Sequence, residues 1–139
     1  MKNKIYTNKE ILDVLLKSWS LESSSKWSKD NPAKGQCGVT ALVVNDIMGG
    51  EIKKTKLPSG WHFYNVLNGK RCDFTDSQFT ENIIYMDIPS NRDEAYKDTN
   101  KKQYNYLIKR SVVWYKMKIK HANRLPITTL IGRLFFVDK

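Results

Sequence analysis

The chain has 139 residues, 40% hydrophobic and 27% charged, a length and balance that suit one soluble globular domain able to bury its own core. No apolar run is long enough to span a bilayer and Met1 to Glu10 lacks the apolar stretch of a secretory signal, so the expectation is a bacterial-type cytoplasmic protein with two free thiols. The net charge of +10 is unevenly placed: residues 1–96 carry 13 Lys/Arg against 12 Asp/Glu and residues 97–139 carry 11 against 2, so a nearly neutral body ends in a cationic segment.

Thr7-Asn8-Lys9-Glu10 fits a capping box that opens a helix from about Asn8 to Trp19, with Ile11, Leu12, Leu15, Leu16 and Trp19 facing inward. Ser20 to Gln36 is a polar loop that carries Trp27. From Cys37 to Met48 apolar residues cover most of a helical circumference, which predicts a central helix, closed by Gly49-Gly50. Glu51 to Leu57 and Trp61 to Leu67 read as strands about Pro58-Ser59-Gly60. Asn68-Gly69 is a strong hairpin signal, with Lys70 to Thr75 as the returning arm.

Past Phe79 periodicity is lost, and Ile83 to Met86 reads as a strand or a packed loop. Asp98 or Thr99 would cap a further helix, turning Tyr104, Leu107 and Ile108 inward and Lys101, Lys102 and Lys109 outward. Val112 to Lys120 can be drawn as a strand or as a continued helix, and periodicity does not arbitrate. The expected organisation is a single α+β domain over residues 1–110 and a basic C-terminal extension over 111–139, packed on the same domain.

The most specific feature is a cysteine at a helix start followed by a histidine and an aspartate on the arms of one hairpin. A free thiol ionises at roughly pH 8.5, so its use as a nucleophile requires thiolate stabilisation. The first turn of a helix supplies unpaired amides and the positive end of the dipole, which favour both a thiolate and an oxyanion. Cys37 stands there. With Asn68-Gly69 as a two-residue turn, Leu67 faces Lys70, Val66 faces Arg71, Tyr64 faces Asp73 and His62 faces Thr75. His62 and Asp73 then share a face as diagonal neighbours roughly 7 Å apart, while Cys72 points to the other face. This makes His62 an oriented base and Asp73 its orienter. Gln36 can donate its amide toward an oxyanion, or face solvent from the loop. Taken singly, each of these residues also fits a packing or turn role. Their agreement in helix start, strand parity and register is what favours chemistry. Trp27, Trp61 and Tyr64 are candidate substrate-binding aromatics, or core.

Gly35-Gln36-Cys37-x-Val39-Thr40-Ala41-Leu42-Val43-Val44, Gly49-Gly50-Glu51, His62-Phe63-Tyr64-Asn65, Asn68-Gly69, Asp73-x-Thr75 and Gln78-Phe79 together resemble the YunG family of small bacterial proteins over about residues 8–110. Where the family pattern usually has Tyr-Trp after the histidine, this chain has Phe63-Tyr64. The order of cysteine on a helix, histidine on a strand and aspartate on the next strand is also similar to the papain and transglutaminase-like superfamily. The resemblance implies an α+β fold with the cysteine-bearing helix packed on an antiparallel sheet, and a Cys-His-Asp site at Cys37, His62 and Asp73.

Zinc is not expected, because Cys37, His62, Cys72 and His121 show no paired ligand spacing and the hairpin separates His62 from Cys72. No Gly-rich phosphate loop appears, so no cofactor is expected. The expectation is a thiol-dependent hydrolase or acyltransferase acting on a peptide, protein or small amide. The alternative is a non-enzymatic binding module that holds an acidic partner on its basic C-terminal surface. Nucleic acid is a weaker partner for the 97–139 segment, where Trp114, Tyr115, Phe135 and Phe136 lie among the cations.

Overall fold

The computed structural model describes residues 7–122 of the chain, with side chains through residue 118. Helix α1 spans Asn8–Ser18 and opens with both halves of the capping box: Glu10 N donates to Thr7 Oγ1 at 3.1 Å and Thr7 N to Glu10 Oε1 at 2.9 Å. Its buried stripe is Ile11, Val14, Leu15 and Ser18. Leu16, expected inside, is 48% exposed, because the buried stripe runs through Val14 and Leu15 and leaves Leu16 beyond its edge. Trp19 caps the helix and donates its indole N–H to Thr40 Oγ1 at 2.9 Å, tying α1 to the next helix.

Helix α2 spans Cys37–Met48, and all of its first eight residues are buried. It packs on the sheet through β2 and contacts α3 and α4 elsewhere around its surface. The sheet is antiparallel in the order β3-β2-β1-β4, with β1 at Glu51–Leu57, β2 at Gly60–Leu67, β3 at Lys70–Cys72 and β4 at Ile88–Pro89. The β2–β3 register pairs Leu67 with Lys70 and Val66 with Arg71, as the two-residue turn requires, and Asn68 and Gly69 both take positive φ (53° and 77°).

Strand parity then sorts β2. Phe63 and Leu67 enter the clusters built around α2, and Asn65 Nδ2 donates to the Ala41 carbonyl at 3.1 Å. Cys72 lies in the same α2 cluster as Leu67, with Asn8 Nδ2 3.1 Å from its sulfur. His62 and Tyr64 point to the opposite face. That face is covered by residues 76–87, a 3₁₀ turn at Asp76–Gln78 followed by a packed loop. Thr55 Oγ1 donates to the Ile84 carbonyl at 2.8 Å and accepts from Met86 N at 3.0 Å, and Tyr85 meets Tyr64 edge-on at 5.0 Å.

A short helix α3, Arg92–Tyr96, capped by Asn91, follows β4 and has no counterpart in the sequence reading. Helix α4 runs from Lys101 to Ala122. Its cap is Asn100, whose Oδ1 accepts from Gln103 N at 2.8 Å, and not Asp98 or Thr99 as expected. Residues 112–118 are helical, and Leu107, Ile108, Val112 and Tyr115 are buried in the main cluster. The helix thus passes through position 110 without a break, while residues 123–139 lie outside the described residues. Among the described residues no helix is long and apolar enough to cross a membrane.

Candidate active site

Cys37 is the first residue of α2, and its cap residue Gln36 makes no side-chain capping bond. The orphan amide of the first turn is satisfied from far along the chain. Asp98, at the α3–α4 junction, places Oδ2 3.0 Å from Gly38 N and 3.4 Å from Cys37 Sγ, so it accepts from both the amide and the thiol. This approach requires glycine at 38: a Cβ there would stand 2.6 Å from Asp98 Oδ2 and 2.7 Å from the Ala95 carbonyl. Sequence reasoning assigned Asp98 to the wrong helix, since it lies close before α4 but serves α2.

These contacts set the thiol's state. The Cys37 pKa is pushed up to about 12, first by burial and then by the Asp98 charge, against the pull of a hydrogen bond from the Phe63 main chain. Burial, and after it the Asp98 carboxylate at the positive end of the helix, thus oppose the stabilisation that the helix start offers a thiolate. Asp98 is exposed as a residue, yet shielding of its carboxylate holds its pKa above the ordinary range.

The hairpin supplies the second group. His62 Nε2 lies 2.7 Å from Asp73 Oδ2, and the two side chains are 2% and 4% exposed. Asp73 Oδ1 accepts from Thr75 N at 3.2 Å, and Tyr85 OH donates to Asp73 Oδ2 at 2.8 Å. Phe79 meets the imidazole edge-on at 5.1 Å. The other ring nitrogen, Nδ1, is buried without a hydrogen-bond partner. Tyr85 and Phe79 are supports that the sequence reading did not assign to the site. Gln78 is another: its Oε1 accepts from Gly35 N at 3.2 Å and its Nε2 donates to the Thr75 carbonyl at 3.1 Å, which holds the loop before Cys37 against the segment after Asp73.

Cys37 comes from α2 on one face of the sheet and His62 from the start of β2 on the other. Both line one cavity of about 370 Å³, together with Trp61, Phe79, Gln78 and Asp98. A second cavity of about 390 Å³ adjoins it, sharing Ser59, Trp61 and Asp98. Of the candidate binding aromatics only Trp61, 43% exposed, borders this space. Tyr64 is 1% exposed and clamps Asp87, donating to Oδ1 at 2.8 Å while accepting from Asp87 N at 2.9 Å, and Trp27 packs on the main cluster. Gln36 is fully buried, its Nε2 donating to the Pro32 carbonyl at 3.2 Å, so it neither faces solvent nor borders the cavity.

Residues 7–114 of the chain match the family described as YunG protein. It is 54% identical over 94 residues to the uncharacterized protein YunG of Bacillus subtilis (strain 168), a match that covers 68% of this chain and 82% of that protein. No solved structure matches the chain. With Cys37, His62, Asp73 and Asp98 all inside the matched span, the chain belongs to the YunG family.

Proposed function

We propose that this protein is a thiol-dependent hydrolase or acyltransferase acting on an amide or related acyl bond, with a papain/transglutaminase-like division of labour. The observation that carries the reading is the buried imidazole of His62. One nitrogen is fixed on Asp73, the other has no partner, and the ring shares a cavity with Cys37. An unpaired nitrogen so deep costs free energy unless a reacting group uses it.

With burial and the Asp98 charge raising the pKa of the thiol, attack draws on His62 as its general base. Sγ bonds to the acyl carbon as its proton passes to His62, and Asp73 holds the imidazolium. His62 then protonates the leaving group as the bond to the acyl carbon breaks, leaving a thioester on Cys37. Water or an amine attacks that thioester and gives its proton to His62, and the C–S bond breaks as His62 passes that proton to the sulfur, restoring the thiol. The first-turn amides of α2 are the donors for the oxyanion, with Gly38 N available once Asp98 moves aside. Gln36 drops out of this role because its amide is engaged with Pro32.

A panel of acyl p-nitroanilides and thioesters tests the reading. The expected result is a stoichiometric acyl adduct on Cys37, seen by intact and peptide mass spectrometry, lost in Cys37→Ala and formed about 100-fold more slowly in His62→Ala. Equal turnover by wild type and Cys37→Ala would refute it.

A further inference from the structure

The cavity lining holds a carboxylate, Asp98, that takes no part in the thiol chemistry, although its Oδ2 accepts from the first turn of α2. Among the described residues, no lysine or arginine lies within ion-pair distance of Asp98, and no donor is bonded to its Oδ1. Lys26 and His62, both on the cavity wall, act on it only through space. Asp98 lines the same space as His62, whose Nδ1 is buried without a partner, and together they mark the space as one built to receive a ligand.

We propose that Asp98 binds the free α-ammonium of an aminoacyl substrate, so that the site acts on acyl groups carrying an unblocked amine next to the scissile carbonyl. The inference rests on the thiol-enzyme reading and names its substrate class. Its geometry closes from few quantities. An ammonium pairs with a carboxylate oxygen at about 2.8 Å. A carbonyl in position for attack stands about 3–3.5 Å from the sulfur. The α-nitrogen and carbonyl carbon of an amino acid are about 2.5 Å apart, from N–Cα and Cα–C lengths of about 1.46 and 1.52 Å. With Asp98 Oδ2 only 3.4 Å from Sγ, these spans form a closed four-sided figure of similar sides, so an amine two bonds from the carbonyl carbon reaches the carboxylate while that carbon stands in position for attack.

Binding would also do chemical work. Pairing Asp98 with the ammonium weakens its hold on Gly38 N and removes the negative field beside the sulfur, so the oxyanion donor is freed and the thiol made more acidic by the substrate that needs both. An N-blocked acyl group offers no charge for Asp98, and burying the carboxylate against it is unfavourable.

Covalent labelling tests this without a known natural substrate. The probes are alanyl chloromethyl ketone and N-acetylalanyl chloromethyl ketone, with iodoacetamide as a control for thiol reactivity. In labelling Sγ displaces chloride, forming C–S and breaking C–Cl, and the thiol proton passes to His62. The expected result is that the free-amine probe labels wild-type Cys37 about 30-fold or more faster than the acetylated one, and that the ratio falls to within about threefold in Asp98→Asn. Asparagine keeps the oxygen that accepts from Gly38 N, and a circular dichroism melt checks the fold. Equal labelling by both probes, still dependent on His62, would overturn the substrate class and leave the thiol-enzyme reading standing. Failure of every probe to label Cys37 in the native protein would overturn both.

Discussion

Replacing Asp98 by asparagine should make Cys37 more acidic. In the native protein the thiol rises from an ordinary 9.0 to about 12, three units, or about 4 kcal/mol against ionisation. Burial is the largest cause and survives the substitution, whereas the Asp98 charge and the hydrogen bond the thiol donates to its carboxylate are lost or weakened. The expected fall is therefore about 1–2 units. Thiolate would become about 10–100 times more abundant, but a less basic thiolate is a poorer nucleophile, so alkylation by iodoacetamide at pH 7 should quicken only about 4- to 12-fold. The assay is the pH dependence of alkylation at Cys37, separated by peptide mass from that at Cys72. An unchanged or raised Cys37 pKa in Asp98→Asn would refute the claim that this carboxylate holds the thiol neutral. The same shift fixes a sign for stability. Below about pH 9 the thiol is neutral in both folded and unfolded chains. Between there and pH 12 only the unfolded chain ionises, so the native protein loses up to about 1.4 kcal/mol per pH unit from this group as pH rises.

Gly38→Ala should lower stability by about 1–3 kcal/mol, because its Cβ meets both the Asp98 carboxylate and the Ala95 carbonyl. A thermal melt matching wild type would show that Asp98 does not pack there. Tyr85→Phe removes a donor to the Asp73 carboxylate and should cost about 1.5–3 kcal/mol in urea unfolding, with Cys37 labelling slowed less than tenfold since the His62 contact remains. Cys72→Ala should cost about 1 kcal/mol through lost packing and leave Cys37 labelling unchanged. A change in that labelling would mean that the two thiols communicate.

What was legible in the sequence was local. The capping box, the bounds of α2 and the Asn68-Gly69 register each follow from residues within a few positions of one another, and the register alone brings His62 to Asp73. The aromatic supports Phe79 and Tyr85 were not legible, because a loop without periodicity gives no sign of which sheet face it covers. Leu16 and Val14 exchanged places because two adjacent stripes of α1 are both apolar and only the partner helix decides between them. Asp98 failed for a related reason. A carboxylate before a helix has the same appearance whether it caps that helix or another, and Asn100, two residues on, could do the nearer work.

That misassignment bears on how the site works. Helix start, thiol, imidazole and carboxylate suffice for an ion pair only if the helix start is free to hold the thiolate, and here a residue 60 positions away fills it. The cavity lining then holds one carboxylate, Asp98, with Asp73 buried behind the imidazole, and the lysines at its wall, Lys26 and Lys34, are exposed to water that screens them. A neutral acyl group entering such a space would leave Asp98 where it is, whereas a cation is drawn to it. On the substrate class proposed above, the position of this carboxylate beside the thiol favours acyl groups that bring their own positive charge close to the carbonyl to be attacked.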